Sequence, residues 1–489
     1  MRKLALCLVV GVLFLYSCVF PASQGQALAM KGELVSGKYT YVLRDDRTAM
    51  ITHYSGEDPV LSVPDELDGI PVSAIGEYAF QSNDALMDVE IPEGVVSLGD
   101  FAFQRCTSLM DVLLPASLTE IGLNPFAGCE ALDNLEIEDG NPNLMMVGNV
   151  LFSLSDHRLV YYSMMNETGV YNVPAGTRII GASAFYQCEN ITGISLPVKD
   201  ESNPGALGVT AIGRRAFYQC EKLKSINLED ADISTVGADA FNGCRSLESI
   251  VFPEKVTSIA ERAFQDCTSL NRLVLPATIT SIGEMAFRNC TSLTSAHLPE
   301  GLMNIGKNTF DGCKEMADLT LPDSLAYIGG GAFRNCERIT KLDLPESVDY
   351  IGSEAFDGCI ALEEITIPDT CSYIGGYAFN RCIALKGITL PSYVYTINDF
   401  TFSGCISLAE VELPEELEEI GEKAFFYCQS LKEIVIPDPV EVIGDGAFEN
   451  CEGLEHVELP EDLESVGPDT FSNCPNLKDL PDLSDMIEE

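Results

Sequence analysis

The chain has 489 residues, 75 of them acidic and 29 basic, for a formal net charge of −46. Such a charge repels nucleic acid and anionic membrane surfaces, so neither is an expected partner, and it favours solubility. With 46% hydrophobic residues and no Trp the composition can still build a core, and beyond the N-terminus no stretch is long and apolar enough for a transmembrane helix.

The first element reads as an export signal. Arg2 and Lys3 give a positive start, Leu4 to Tyr16 form a short apolar run, Pro21 breaks it, and Ala27-Leu28-Ala29 has the small-x-small form of a cleavage site. A signal peptide over 1–29 and a mature start near Met30 follow. Leu15-Tyr16-Ser17-Cys18 offers a second reading as a loose lipobox that would leave a lipid anchor at Cys18, although Tyr16 is bulky for that motif. Either way the expected location is extracellular or attached to the cell surface.

From there the chain repeats. Fifteen of the 18 cysteines lie on a ruler, and from Cys244 to Cys474 every step is 23 residues. Cys106 to Cys129 is also 23, and Asn83 fills the same slot one unit earlier. The irregular steps are units with inserts: 36 extra residues between Cys129 and Cys188, nine between Cys188 and Cys220, and one between Cys220 and Cys244. Sixteen units result, which makes the chain one stacked array rather than several globules.

Within a unit the spacing dictates local structure. In Leu273-Val274-Leu275 the alternation points Leu273 and Leu275 inward, and Arg272 and Val274 outward, on a short strand. Pro276 ends it, because proline cannot donate to a ladder. Ile279 and Ile282 mark a second extended segment, and the following Gly283 suggests a turn with positive φ, with Asn398 as its substitute in one unit. The Ala-Phe-x-x-Cys stretch has room for only a turn or two of helix, tucking Phe and Cys inward. One unit cannot bury its own apolar face, so stacking is required. At a strand spacing of about 4.8 Å, sixteen units extend about 75–80 Å.

The A-F-x-x-C-x-S-L-x-x-L-x-L-P unit resembles the BspA-like class of leucine-rich repeats over about residues 60–480. The resemblance implies a leucine-rich-repeat arc of sixteen 23-residue units with short parallel strands and short helical turns. Lys38 to Tyr54, with Arg44-Asp45-Asp46-Arg47 at its turn, is similar to that family's N-terminal capping β-hairpin, giving a cap over 30–59. An insert at about 138–172 resembles a recurrent family hairpin, with Asn149–Ser153 and Arg158–Tyr162 pairing around Leu154–His157. A short insert occupies about 198–208, and 481–489 is an acidic tail. The family implies adhesion or ligand binding, not catalysis, and leaves the ligand open.

Chemistry is sparse. Equivalent cysteines in a stack point in parallel and an odd column cannot pair completely, so buried reduced thiols are expected, with no metal site and no cofactor. The four histidines, His53, His157, His297 and His456, assemble no nucleophile–base–acid set, and no enzyme is expected.

Two surfaces stand out for binding. The outward strand positions are acidic at both ends of the array but nearly acid-free from Ser195 to Thr389. This strip gives Val251, Val274, His297, Thr320, Thr366 and Thr389, with Arg272 and Lys341 from the preceding outward column; Val and Thr would equally suit a bare strand. Tyr327, Tyr350 and Tyr373 recur in one slot of three successive units and form a tyrosine ladder whose apolar faces and hydroxyls suit recognition, or which packs only on itself. The expected function is extracellular binding or adhesion by a monomer recognising a protein or glycan. The alternative is a spacer protein that assembles laterally.

Overall fold

The computed structural model describes residues 32–478, apart from 168, 199–207 and 462, together with 480, 483 and 486. The expected export segment 1–29 with Cys18, most of the insert at 198–208 and most of the tail 481–489 lie outside the described residues.

The chain winds as a β-solenoid of about 18 turns of about 23 residues. Each ordinary rung carries two short strands. In the first, Arg272–Val274, only Leu273 is buried, and the strand lies parallel on the preceding rung with Val251 opposite Val274. The carbonyl of Pro276 then accepts the amide of Ile279 at 3.1 Å, which turns the chain. The second strand, Ser281–Ile282, places Ile282 in the core opposite Ile259. First strands stack on first strands and second on second, so the solenoid has two sheet faces.

Two hairpins supply rungs without the cysteine slot. In the strand Ala49–Tyr54, Ile51 lies opposite Ile75; in Arg158–Tyr162, Leu159 lies opposite Ile180. Tyr54 and Tyr162 take the place of the repeat phenylalanine, each amide donating to the alanine carbonyl of the next rung, Ala79 or Ala184, at 2.9 Å.

The expected helical turns do not form. A 3-10 turn at Leu228–Asp230 is the only helical element among the described residues. In most rungs two residues are left-handed, such as Met285 and Asn289, both at φ 57°, and left-handed residues at that spacing break the i→i−4 pattern. The amides of Arg262, Phe264 and Asp266 instead donate to the carbonyls of Glu284, Ala286 and Arg288 on the next rung, at 3.0, 2.8 and 2.8 Å. The turns are therefore tied rung to rung, as strands are.

The glycine after Ile also has a different cause from the one expected. The φ of Gly283 is not positive. A Cβ there would sit 2.4 Å from the Glu261 nitrogen and 2.7 Å from the Ala260 carbonyl carbon, so close approach of the rungs selects glycine. Asn398 fills the slot differently, its Nδ2 donating to the Ile374 carbonyl at 2.6 Å.

The interior is columnar. Phe264, Phe287 and Phe310 stack with centroids 5.5 Å apart at each step and rings within 6° of parallel. The hairpin of Val150–Ser153 and Arg158–Tyr162 interrupts this column. Leu151, Val160 and Tyr161 pack into the core on the N-terminal side, while Val150, Phe152, Leu159 and Tyr162 pack into the core on the C-terminal side. It is a septum, apolar on both faces.

Candidate binding surface

The strip residues lie where alternation puts them, on the outer surface of the first-strand sheet. Val251 and Val274 are each 44% exposed and directly opposite one another. Arg272, His297, Thr320, Lys341, Thr366 and Thr389 are exposed on the same sheet column or its neighbour. The sheet does not leave them equally free. His297 Nδ1 lies 3.0 Å from Thr320 Oγ1, and its Nε2 is 3.5 Å from Asp318 Oδ2. Lys341 Nζ sits 3.4 Å from Glu364 and 4.0 Å from Asp343. Thr366 donates to Asp343 at 2.9 Å and Thr389 to Glu412 at 3.0 Å.

Asp318 and Glu364 are the residues that sequence reasoning missed. Both occupy the preceding outward column, the one that carries Arg272 and Lys341, and register could have found them. With both columns counted, the acid-free section is shorter and lies further toward the N-terminus. From the strand Val170–Asn172 to the strand Ser295–His297, six rungs present twelve outward positions and no carboxylate.

A depression of about 470 Å³ opens within this section. Gly193 lines it together with Val170, Ser195, Ser225 and Val251, and Glu229, which follows the strand, borders it. A Cβ on Gly193 would meet nothing closer than Val170 Cγ2 at 3.4 Å, so the backbone does not require glycine there and its missing side chain leaves the notch open. Asn227, on the rim, has its amide engaged: Oδ1 accepts the Leu196 amide at 2.7 Å, and Nδ2 donates to the Leu196 carbonyl at 3.1 Å and to Asp230 Oδ2 at 2.6 Å.

Tyr327, Tyr350 and Tyr373 sit on the other sheet, in register, so the strip and the ladder are separate surfaces. Successive rings stack 4.7 Å apart at 12°. The ladder thus packs on itself, one of the two arrangements expected from the sequence, covering both faces of Tyr350 and offering ring edges and hydroxyls. Burial, then the neighbouring phenols Tyr327 and Tyr373, raise the ionisation point of Tyr350 above that of a free tyrosine.

Elsewhere the thiols are sequestered. Cys106 and its equivalents through Cys451 are free and buried, and Cys474 at the end of the column is half-buried. Burial pushes Cys220, Cys359 and Cys405 up to about 12, the opposite of a nucleophile's requirement. Among the described residues no three His, Cys, Asp or Glu side chains are grouped to hold a metal ion, and no helix is long and apolar enough to cross a membrane.

Comparison with known proteins agrees with this architecture. The family model described as BspA type leucine-rich repeat region matches residues 73–197, 161–291, 258–386 and 372–486. Among solved structures, a leucine-rich repeat protein from Bacteroides ovatus is 25% identical, over 91% of this chain and 93% of that one, with a TM-score of 0.40. A leucine rich cell surface protein from Faecalibacterium prausnitzii is 24% identical, over 88% and 95%, with a TM-score of 0.40. No curated protein sequence matches the chain. With the repeat model matched along most of its length, the chain belongs to the BspA-type leucine-rich repeat family.

Proposed function

We propose that this protein works outside the cell or on its surface, binding a protein or glycan ligand without catalysis, and that the outer strand face from Val170 to His297 makes the contact. The observation that carries this reading is electrostatic. In a chain of net charge −46, six consecutive rungs leave twelve outward positions free of carboxylates. Desolvating a carboxylate without a partner is costly, so strands without outward carboxylates are where a ligand can be buried at least cost. Exposed Val170, Val251 and Val274 add apolar area, and Arg272 supplies a donor fork beside them.

An array of extracellular-matrix proteins and glycans, probed with the mature chain and with a Val251→Glu/Val274→Glu variant, tests the reading. Both positions are exposed, so the variant should keep its thermal transition while losing its array signals. Signals that survive both substitutions remove this face as the contact surface.

A further inference from the structure

The sheet of second strands carries a larger neutral face, of which the tyrosines are one part. Ten consecutive rungs, from the strand Ile179–Ile180 to the strand Thr396–Ile397, each place two side chains on its outer surface, all exposed or half-buried. Of these twenty positions only Arg178 and Asp349 carry charge, and their signs cancel. Acid returns in the next rung on the C-terminal side, at Glu418 and Glu419, while on the N-terminal side the adjoining strand Arg158–Tyr162 sets Arg158 opposite Ile179.

The face has two chemical halves. Toward the N-terminus it is built from hydroxyls. Thr210, Thr257 and Thr280 donate to the carbonyls of Arg178, Ser234 and Thr257 on preceding rungs, at 3.2, 3.3 and 3.3 Å. Their protons are spent inward, so their oxygens turn lone pairs to solvent and act as acceptors. Toward the C-terminus the face is aromatic, with Tyr327, Tyr350 and Tyr373, the 46%-exposed Tyr395 and the 59%-exposed Met303. Among the described residues the three stacked phenols make no hydrogen bond through their hydroxyls, which are left as donors. The phenols repeat once per rung, with ring centroids 4.7 Å apart.

We infer that this face binds an uncharged polysaccharide running along the solenoid axis, with about one sugar ring to each rung. A row of acceptors followed by a row of phenols, stacked rung on rung and with no net charge, suits a polymer of alcohols. A protein partner would bring a polar, charged rim to an interface, and these ten rungs hold almost nothing to pair with it. An anionic glycan would meet the net charge of −46. The inference rests on a different sheet from the strand-face proposal and stands or falls separately.

Retention of the mature chain on cellulose, β-1,3-glucan, starch and mannan, with a sulfated glycan as control, provides the test. At least one neutral polymer should retain the wild type while the sulfated one does not. Tyr350→Ser with Tyr373→Ser, and separately Thr257→Glu with Thr280→Glu, should each weaken that retention about tenfold, with an unchanged thermal transition. Val251→Glu/Val274→Glu, on the other sheet, should leave it intact. Failure of all four neutral polymers to retain the wild type overturns the inference, as does retention indifferent to the Thr→Glu pair. Loss of retention only with the Val→Glu pair would move glycan binding to the strand face.

Discussion

The Sγ of Cys290 donates to the carbonyl oxygen of Phe264, one rung back, at 3.3 Å. Equivalent bonds run from Cys106 to Phe80 at 3.0 Å and from Cys405 to Phe379 at 3.2 Å. Where Asn83 replaces the cysteine, its Nδ2 donates to the Gly56 carbonyl at 2.8 Å. The slot therefore demands a small group that also carries a donor, because each turn leaves a carbonyl facing the next rung. Cys313→Ala should cost about 1–3 kcal/mol, from an unsatisfied carbonyl and lost packing. Denaturant titration of this variant measures it; a midpoint equal to wild type would reduce the thiol to a space-filler.

The same burial makes stability depend on pH at the alkaline end. An unfolded thiol ionises near about 8.5, whereas folded Cys220, Cys359 and Cys405 hold their protons to about 12. Above about pH 8.5 the unfolded chain binds fewer protons than the folded one, so stability is complete below that point and is lost as pH rises toward 12. Denaturant midpoints should fall steadily between about pH 8.5 and 11, and a flat profile would contradict the assignment. In the native protein at neutral pH, a thiol reagent should label Cys474 first.

Two glycines should respond oppositely. Gly283→Ala drives a methyl group into the backbone of Glu261 and should destabilise by about 1–3 kcal/mol. Gly387 has no positive φ, and a Cβ there would meet only Glu410 atoms at 3.5 Å. Gly387→Ala should be neutral or stabilising by about 0.4–1 kcal/mol through the unfolded state. Comparing the two melting temperatures decides it.

Asp311 is 2% exposed and lies between two arginines. Arg288 Nε reaches it at 3.0 Å from one rung, and Arg334 Nη2 at 2.8 Å from the other. Asp311→Ala removes charge-assisted bonds that clamp three rungs and should cost about 1.5–3 kcal/mol. Arg288→Ala, which leaves Arg334 in place, should cost less. Equal losses would show the clamp to be uncoupled.

The rung repeat, the inward Leu, Ile, Phe and Cys, and the outward Val251 and Val274 could all be read from spacing, because period and burial are tied through the pleat. The backbone of the Ala-Phe-x-x-Cys turn could not. Its bonds run to the next rung, 22 residues away, so no local propensity records them, and a helix was the natural local reading. Gly283 was misjudged for a related reason: the atoms that exclude a side chain belong to Ala260 and Glu261, distant in sequence. The candidate surface suffered similarly. Asp318 and Glu364 lie in the outward column that also carries Arg272 and Lys341, and their reach to His297 and Lys341 depends on rung-to-rung pairing, while stacking geometry turned the tyrosines edge-on.

All three departures from the 23-residue period fall between a first strand and the second strand that follows it, after Ile137, after Val198 and at Leu228–Asp230. None falls within an Ala-Phe-x-x-Cys turn, whose amides and thiol must meet the preceding and following rungs at fixed heights. The molecule thus has a permissive side and an intolerant one. An engineer wishing to graft an epitope or a tag would choose the bend after Pro276 or Pro299, where added length can bulge outward, and would leave the cysteine side alone.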